Sequence, residues 1–285
     1  MGVYCLCFAG LRPLWAFGPS RRAHLKIAVL IKQVPSSEAR IRIAGGVSVE
    51  LADVELIVNP YDEYAMEAAL QIKEKVGGEV VAFCLGGEKA EEALRTCLAL
   101  GADRAVVLRD PAFTGSDALG IANVLAVALR PFAPDLVLCG KLSIDSENSA
   151  VGIMVAELLD FPHASVVSSL ELEGESRIRA QREVEGGLEE LEVQLPAVLT
   201  ANKGLNEPRY ASLKGIMMAK KKPLEVLDGS ALGISASEVG AAAARTETIA
   251  MEPPAERIAG RVLQGDAREM VTQLLRYLKD EAKVL

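Results

Sequence analysis

The segment LVLCGKLSIDSENSAVG, residues 136–152, changes character at Gly140. Before it runs an unbroken apolar stretch. After it come Lys141, Ser143, Asp145, Ser146, Glu147, Asn148 and Ser149. A short continuous apolar run that ends in a polar loop reads as a strand covered on both faces, the mark of a parallel sheet. The polar cluster has two readings. It caps the helix that follows, or its small residues and free N–H groups hold an anion. Asp145 and Glu147 would repel an anion unless they point elsewhere, at ribose hydroxyls for instance.

Three more runs of this kind precede it: KIAVLI (26–31), EVVAFC (79–84) and RAVVLR (104–109). Between them lie helical patterns. Residues 60–75 put Tyr61, Tyr64, Ala65, Ala68 and Ile72 on one stripe, and residues 88–100 do the same before a stop at Gly101. A third helix is expected over residues 117–130. This alternation predicts right-handed crossovers and an α/β fold with a doubly wound, mostly parallel, Rossmann-like sheet. Beyond residue 164 the period becomes two. SVVSSLELEG, RIRAQREV, LEELEVQL and AVLTA read as an antiparallel meander added to that sheet, with turns at residues 173–176 and 186–187. After Pro223 apolar residues thin out. Residues 239–260 read as an extended linker and 266–279 as a terminal helix.

The 285 residues carry a net charge of −8 and only 4 % aromatics, which argues against nucleic-acid binding through a basic face or a stacking platform. Five cysteines (Cys5, Cys7, Cys84, Cys97, Cys139) form no C-x-x-C pair, and only His24 and His163 could help them. Buried reduced thiols in a reducing compartment are therefore expected, and no metal site. Residues 1–24 hold Arg12, Arg21 and Arg22 without an acid, with most of the charge after the apolar part. They read as an extension foreign to the rest, a frayed tail or upstream start, with a transit peptide as the alternative. No run reaches the roughly 20 apolar residues of a membrane span.

Ligands of open α/β sheets bind beyond the carboxyl ends of the strands, which singles out residues 32–37, 59–62 and 140–151. In VNPYDEY (58–64), Asn59 suits an N-cap, Pro60 the first helical position, and Asp62 and Glu63 the positive end of the dipole. FCLGGEK (83–89) adds a glycine loop without a nucleotide fingerprint. No nucleophile or acid–base constellation emerges, and His163 reads as a loop residue. The lysines of AKKKP (219–223) read as a solvated face. In ANKGLNEPRYASLKG, the isolated Leu205 packs inward or anchors a partner.

VLIKQVPSSEARIRI (29–43), VNPYDEYAMEAAL (58–70), LALGADRAVVL (98–108) and above all REVEGGLEELEVQLPAVLTANKGLNEPRYASLKGIMMAKKKPLE (182–225) resemble the β subunit of electron-transferring flavoproteins. The resemblance spans about residues 26–228. It implies a fold like the adenine nucleotide α-hydrolases, with a nucleotide-binding domain over 25–223, a recognition loop at 201–211 and an arm at 224–285 that packs on a larger α subunit. The implied cofactors are AMP, held structurally, and an FAD shared with the α subunit. Electrons would pass from acyl-CoA-type dehydrogenases to a quinone oxidoreductase, in the bacterial cytoplasm or the mitochondrial matrix. Carried onto this chain, the nucleotide contacts fall at Leu30, Asn59, Pro60, Tyr61, Asp62 and Leu85. They continue through Gly140, Lys141, Leu142, Ser143, Ile144, Asp145, Ser146, Glu147, Asn148, Ser149, Ala150 and Val151, with the N–H groups after Gly140 as phosphate donors. Tyr61 takes the place of an aromatic ring facing the flavin, and Leu205 that of the dehydrogenase anchor. Electron-bifurcating members hold a second FAD and read DGDTAQVG where this chain has DSENSAVG. Asn148 in place of Thr and the bulkier Ser146 in place of Gly favour AMP over a second FAD, while Ala150 stands where both branches commonly carry Gln.

Overall fold

A computed structural model describes residues 24–255 and 260–285, so Cys5, Cys7 and the rest of the N-terminal extension lie outside the described residues. The chain opens with β1 (Lys26–Ile31) and four short strands, β2 (Gln33–Pro35), β3 (Ile43–Ala44), β4 (Ser48–Val49) and β5 (Leu56–Val58). Then come α1 (Pro60–Val76), β6 (Glu79–Leu85), α2 (Ala90–Leu100), β7 (Arg104–Leu108), α3 (Ala118–Phe132), β8 (Leu136–Gly140) and α4 (Val151–Leu159). The second half holds β9 (His163–Glu173), β10 (Arg177–Val184), β11 (Gly187–Gln194), β12 (Ala197–Ala201), α5 (Leu213–Ala219) and β13 (Leu224–Leu227). It ends with α6 (Gly229–Leu232), α7 (Gly240–Ala243) and α8 (Ala267–Arg276).

Nine strands form one sheet in the order β11-β10-β9-β12-β8-β1-β6-β7-β13. Seven of them, β9 to β13 across that order, pair in parallel, and at one edge β10 pairs antiparallel with β9 and β11 antiparallel with β10. The α/β, doubly wound, mostly parallel architecture read from the sequence is the one observed. Successive β1 residues feed opposite faces. Ile27, Val29 and Ile31 join Ala65, Met66 and Leu70 of α1 and Leu94 and Leu98 of α2. Ala28 and Leu30 join Val124, Leu125 and Leu129 of α3 and Val155 of α4. Burial on both faces is what makes these strands uninterrupted apolar runs.

Two strands depart from the reading above. AVLTA, expected in the antiparallel meander, is β12, parallel to its neighbours β8 and β9. All five of its residues are buried, which a half-solvated meander strand would not be. β13 falls in the stretch read as thin and adds to the β7 edge. Edge placement leaves Glu225 and Val226 exposed, so it lacks an apolar run.

The linker expected over residues 239–260 is also corrected in its first part. Val239 is buried with the α3 side of the core, Gly240 N–H donates to Ser116 Oγ at 2.8 Å, and Arg245 N–H donates to Asp117 Oδ2 at 2.8 Å. Lys222 of the AKKKP run is not a solvated side chain either. Its Nζ donates to the carbonyls of Leu98 at 3.0 Å and Ala102 at 2.6 Å, closing the C-terminal end of α2. Cys84, Cys97 and Cys139 are free and buried, and burial pushes the Cys84 thiol up to about 12.

By contacts the chain divides into two units. One takes in the residues up to Arg42 and Val49–Thr248, and thus the nine-stranded sheet. The other takes in Ile43–Ser48 and Ile249–Leu285. In the second, α8 begins with a capping box in which Asp266 and Glu269 each accept the other's backbone N–H. Among the described residues no helix is long and apolar enough to cross a membrane.

Candidate functional site

From β1 the chain moves outward through β6 and β7, then returns by α3 to place β8 on the other side of β1. That reversal opens a crevice beyond the carboxyl ends of β1 and β8, where open α/β sheets bind ligands. The crevice has a volume of about 130 Å³. Leu30, Leu85, Ile121, Leu125 and Cys139 give it apolar walls, and the segment from Gly140 to Gly152, apart from Ile144, Asp145 and Glu147, forms its rim.

The N-terminal turn of α1 braces this rim. Asn59 stands at the N-cap position, but its side chain makes no capping hydrogen bond. Instead Nδ2 donates to the Leu142 carbonyl at 2.9 Å and Oδ1 accepts from Ile144 N–H at 3.2 Å. The cap expected from the sequence is thus a clamp on the loop, which satisfies a buried amide that a capping role would leave half used. Asp62 does the same for the strand ends. Its Oδ2 accepts from Lys32 N–H at 2.8 Å and its Oδ1 from Gly140 N–H at 2.7 Å. Burial pushes the Asp62 carboxyl up to about 7, against these donors, the Asn59 side chain and the Lys32 charge. A Cβ at position 140 would lie 2.6 Å from Asp62 Oδ1 and from Tyr61 Cβ, so glycine is what lets α1 approach.

Lys32, first residue of the 32–37 loop, reaches across the crevice mouth. Its Nζ lies 2.8 Å from Asp145 Oδ1 and 2.7 Å from Oδ2, and also donates to Ser143 Oγ at 3.2 Å and Ser146 Oγ at 3.3 Å. Burial raises the Asp145 carboxyl, but the Lys32 and Ser143 hydrogen bonds outweigh it and hold the group below its usual range. Asp145 is therefore turned toward a cation and does not face the crevice as a free charge. Three of the N–H groups expected to serve a phosphate are already engaged, Lys141 by the Ala201 carbonyl, Ile144 by Asn59 and Glu147 by the Ser143 carbonyl, and that of Gly140 before them is held by Asp62.

The choice between a helix cap and an anion site also sharpens at α4. Its N-cap residue is Ala150, and no side chain caps the helix. Ser143 and Ser146 serve Lys32 and each other and Ser149 Oγ donates to the Glu147 carbonyl, leaving the positive end of α4 turned to the rim formed by Ser149, Ala150, Val151 and Gly152. Gly152 is required here for packing, since a Cβ would meet Cys139 Sγ at 2.5 Å. Glu147 and Ser149 adopt left-handed backbone, with φ of 50° and 52°, which folds the loop back toward the helix.

The remaining residues singled out in the sequence fall as follows. Pro60 opens α1, and Tyr61 is half-buried with Lys141 Nζ 5.3 Å from its ring centroid. Pro60, Tyr61, Ile144, Asp145 and Glu147 do not line the crevice; Leu30, Asn59, Asp62, Leu85 and the other loop residues do. Leu205 lies away from it, half-buried against the α1 side of the core. Its loop is fixed by Arg209, whose guanidinium pairs with both Glu67 and Glu74 of α1. His163 is exposed at the start of β9. Besides Lys32, lining residues not named as contacts from the sequence are Ile31 and Cys139 of the strand ends, Gly152, and Ile121 and Leu125, one turn apart on α3. The only sequence signal of the α3 pair is the i, i+4 apolar spacing, which any core helix shares.

Residues 47–232 match the profile of the electron transfer flavoprotein domain. Over 262 residues the chain is 40 % identical to the electron transfer flavoprotein subunit beta of Bacillus subtilis (strain 168), covering 92 % of this chain and all of the relative. It is 37 % identical to that of Methylophilus methylotrophus, over 90 % of this chain and 98 % of the relative. The pig (Sus scrofa) subunit beta is 38 % identical over 84 % of this chain and 92 % of its own length. The chain belongs to the electron transfer flavoprotein family, as a β subunit.

Proposed function

We propose that this β subunit binds AMP in the crevice between β1 and β8 and, joined to a larger α subunit, helps hold the FAD of a heterodimeric electron carrier. The observation that carries the nucleotide assignment is a crevice at the strand-order reversal whose walls are apolar and whose rim ends at a helix uncapped by any side chain. The residues fit the group. Leu30, Leu85, Ile121 and Leu125 suit a purine face, while the first turn of α4 and the Lys141 ammonium suit a phosphate monoester. Ser143, Ser146, Asn148 and Ser149 offer hydroxyl and amide partners for a ribose.

FAD supplies the redox chemistry when bound; the protein binds it, orients it and excludes water. Donors in this reading are acyl-CoA-type dehydrogenases, which meet the loop at residues 201–211 around Leu205, and the acceptor is a quinone oxidoreductase. Of residues 224–285, the stretch beyond the sheet-bearing unit, Ile249–Leu285, contributes the arm on the α subunit. The test is co-production of the full chain with its partner subunit, followed by acid extraction and chromatography of the bound nucleotides. Equimolar FAD and AMP are expected. Two FAD per heterodimer would replace AMP with a second flavin, and a colourless chain without adenine nucleotide would overturn the assignment.

A further inference from the structure

The charges around the crevice are few and unequally committed. Lysines 32 and 141 and Asp62 are the basic and acidic residues that line it, beside the buried Cys139 thiol. Asp62 is buried and spends both oxygens on backbone N–H groups, so it offers nothing to a ligand. Lys141 sits over the Tyr61 ring, an arrangement that leaves the full positive charge in place. Lys32 is different. Its ammonium stands at the rim beside Ser143 and Ser146, both of which line the crevice, yet both Asp145 oxygens hold it.

We propose that Asp145 sets how much phosphate charge the crevice accepts, by keeping the Lys32 ammonium neutralised at its rim. This rests on the adenine-nucleotide assignment above and adds what selects among adenine nucleotides. With Lys32 paired, the rim opposes a ligand with the Lys141 charge and the α4 dipole. These match a monophosphate, and each further phosphoryl group brings negative charge with no cation to meet it. Freeing Lys32 adds a mobile cation within reach of the serines that line the rim, and a second phosphoryl group gains more from it than the first. Removing Lys32 leaves the Asp145 carboxylate unpaired, which penalises all phosphates and the more highly charged ones most. Removing both charges returns the rim to its original balance.

The experiment uses the full chain in complex with its partner subunit, stripped of nucleotide. A fluorescent AMP analogue is displaced with AMP, ADP and ATP in wild type, Asp145→Asn, Lys32→Met and the double variant. Wild type should prefer AMP. Asp145→Asn should narrow the AMP-over-ADP preference by about tenfold, the size of one partly screened charge a few ångströms away. Lys32→Met should widen it, and the double variant should restore the wild-type ratio. Added salt should shrink the differences among the four proteins. If both single variants weaken AMP and ADP equally, leaving the ratio fixed, the pair is only a brace for the loop and the inference is overturned, with AMP binding itself intact. A wild-type complex that displaces no adenine nucleotide would overturn the assignment of the crevice as well.

Discussion

The carboxylate of Asp62 ties the residue after β1 to the last residue of β8 through the Lys32 and Gly140 N–H groups, at 2.8 and 2.7 Å. Replacing it with Asn keeps the shape but turns an amide N–H toward one of those donors. One backbone N–H then loses its acceptor inside the fold, at about 1–3 kcal/mol. Asp62→Asn should therefore lower the denaturation midpoint by that much, measured in urea at neutral pH. The wild type also carries a pH signature. The folded carboxyl titrates at about 7 against an ordinary 3.8, so the folded state binds the proton more tightly than the unfolded one. This group's contribution is complete below about pH 4 and is lost as pH rises toward 7, whereas Asp62→Asn lacks that slope. Stability curves that stay parallel across this window would remove the assignment. At this scale the sequence was half legible. VNPYDEY marked the helix start, but a single sequence shows Asn59 and Asp62 as a cap and a dipole partner, because both roles use the same residue types at the same positions. Their use as clamps depends on where β8 arrives, 78 residues beyond Asp62 in the case of Gly140.

At the scale of elements, α1 connects the crevice to the loop that carries Leu205. Its first turn grips residues 140–144, and its later turns present Glu67 and Glu74 to Arg209. Glu67 is only 5 % exposed and also accepts from Gln71 at 2.8 Å. Burial raises its carboxyl, but the Arg209 and Gln71 hydrogen bonds outweigh this and hold it below its usual range. Arg209→Met removes the partner and leaves that carboxylate buried, a loss of about 1–3 kcal/mol. It should also loosen residues 202–210, seen as faster amide hydrogen exchange there and unchanged exchange in β1 and β6. Uniformly faster exchange would mean that Arg209 serves the whole core instead of the loop. Element type was legible where burial is complete or alternation clean: β1, β6, β7 and β8 came out as parallel strands, and β10 and β11 as an antiparallel ribbon. Where the reading failed, position in the sheet overrode local pattern. β12 follows two antiparallel strands in sequence but inserts between β8 and β9, an outcome of long-range pairing that a local period does not encode.

At the scale of the molecule, the two contact units differ in how they bury apolar surface. The sheet-bearing unit packs its apolar residues on both faces, whereas no residue of α8 in the other unit is buried. Val271, Leu274 and Leu275, spaced along α8 as one apolar stripe, are 55, 45 and 53 % exposed. A short helix gains most of its stability from packing such a stripe, so a partner that covers it would contribute both affinity and order. If residues 249–285 are the arm on the α subunit, Leu274→Asp combined with Leu275→Asp should act on assembly alone. The double variant should fail to retain the α subunit and FAD on co-purification. Its own thermal unfolding should shift little, because substitutions at exposed sites typically change stability by about 0.5 kcal/mol or less each. Retention of the α subunit at wild-type levels would show that this stripe is not its seat. A drop in the isolated chain's melting temperature would show instead that α8 packs on its own chain, and that the boundary between subunit and arm lies further toward the C terminus.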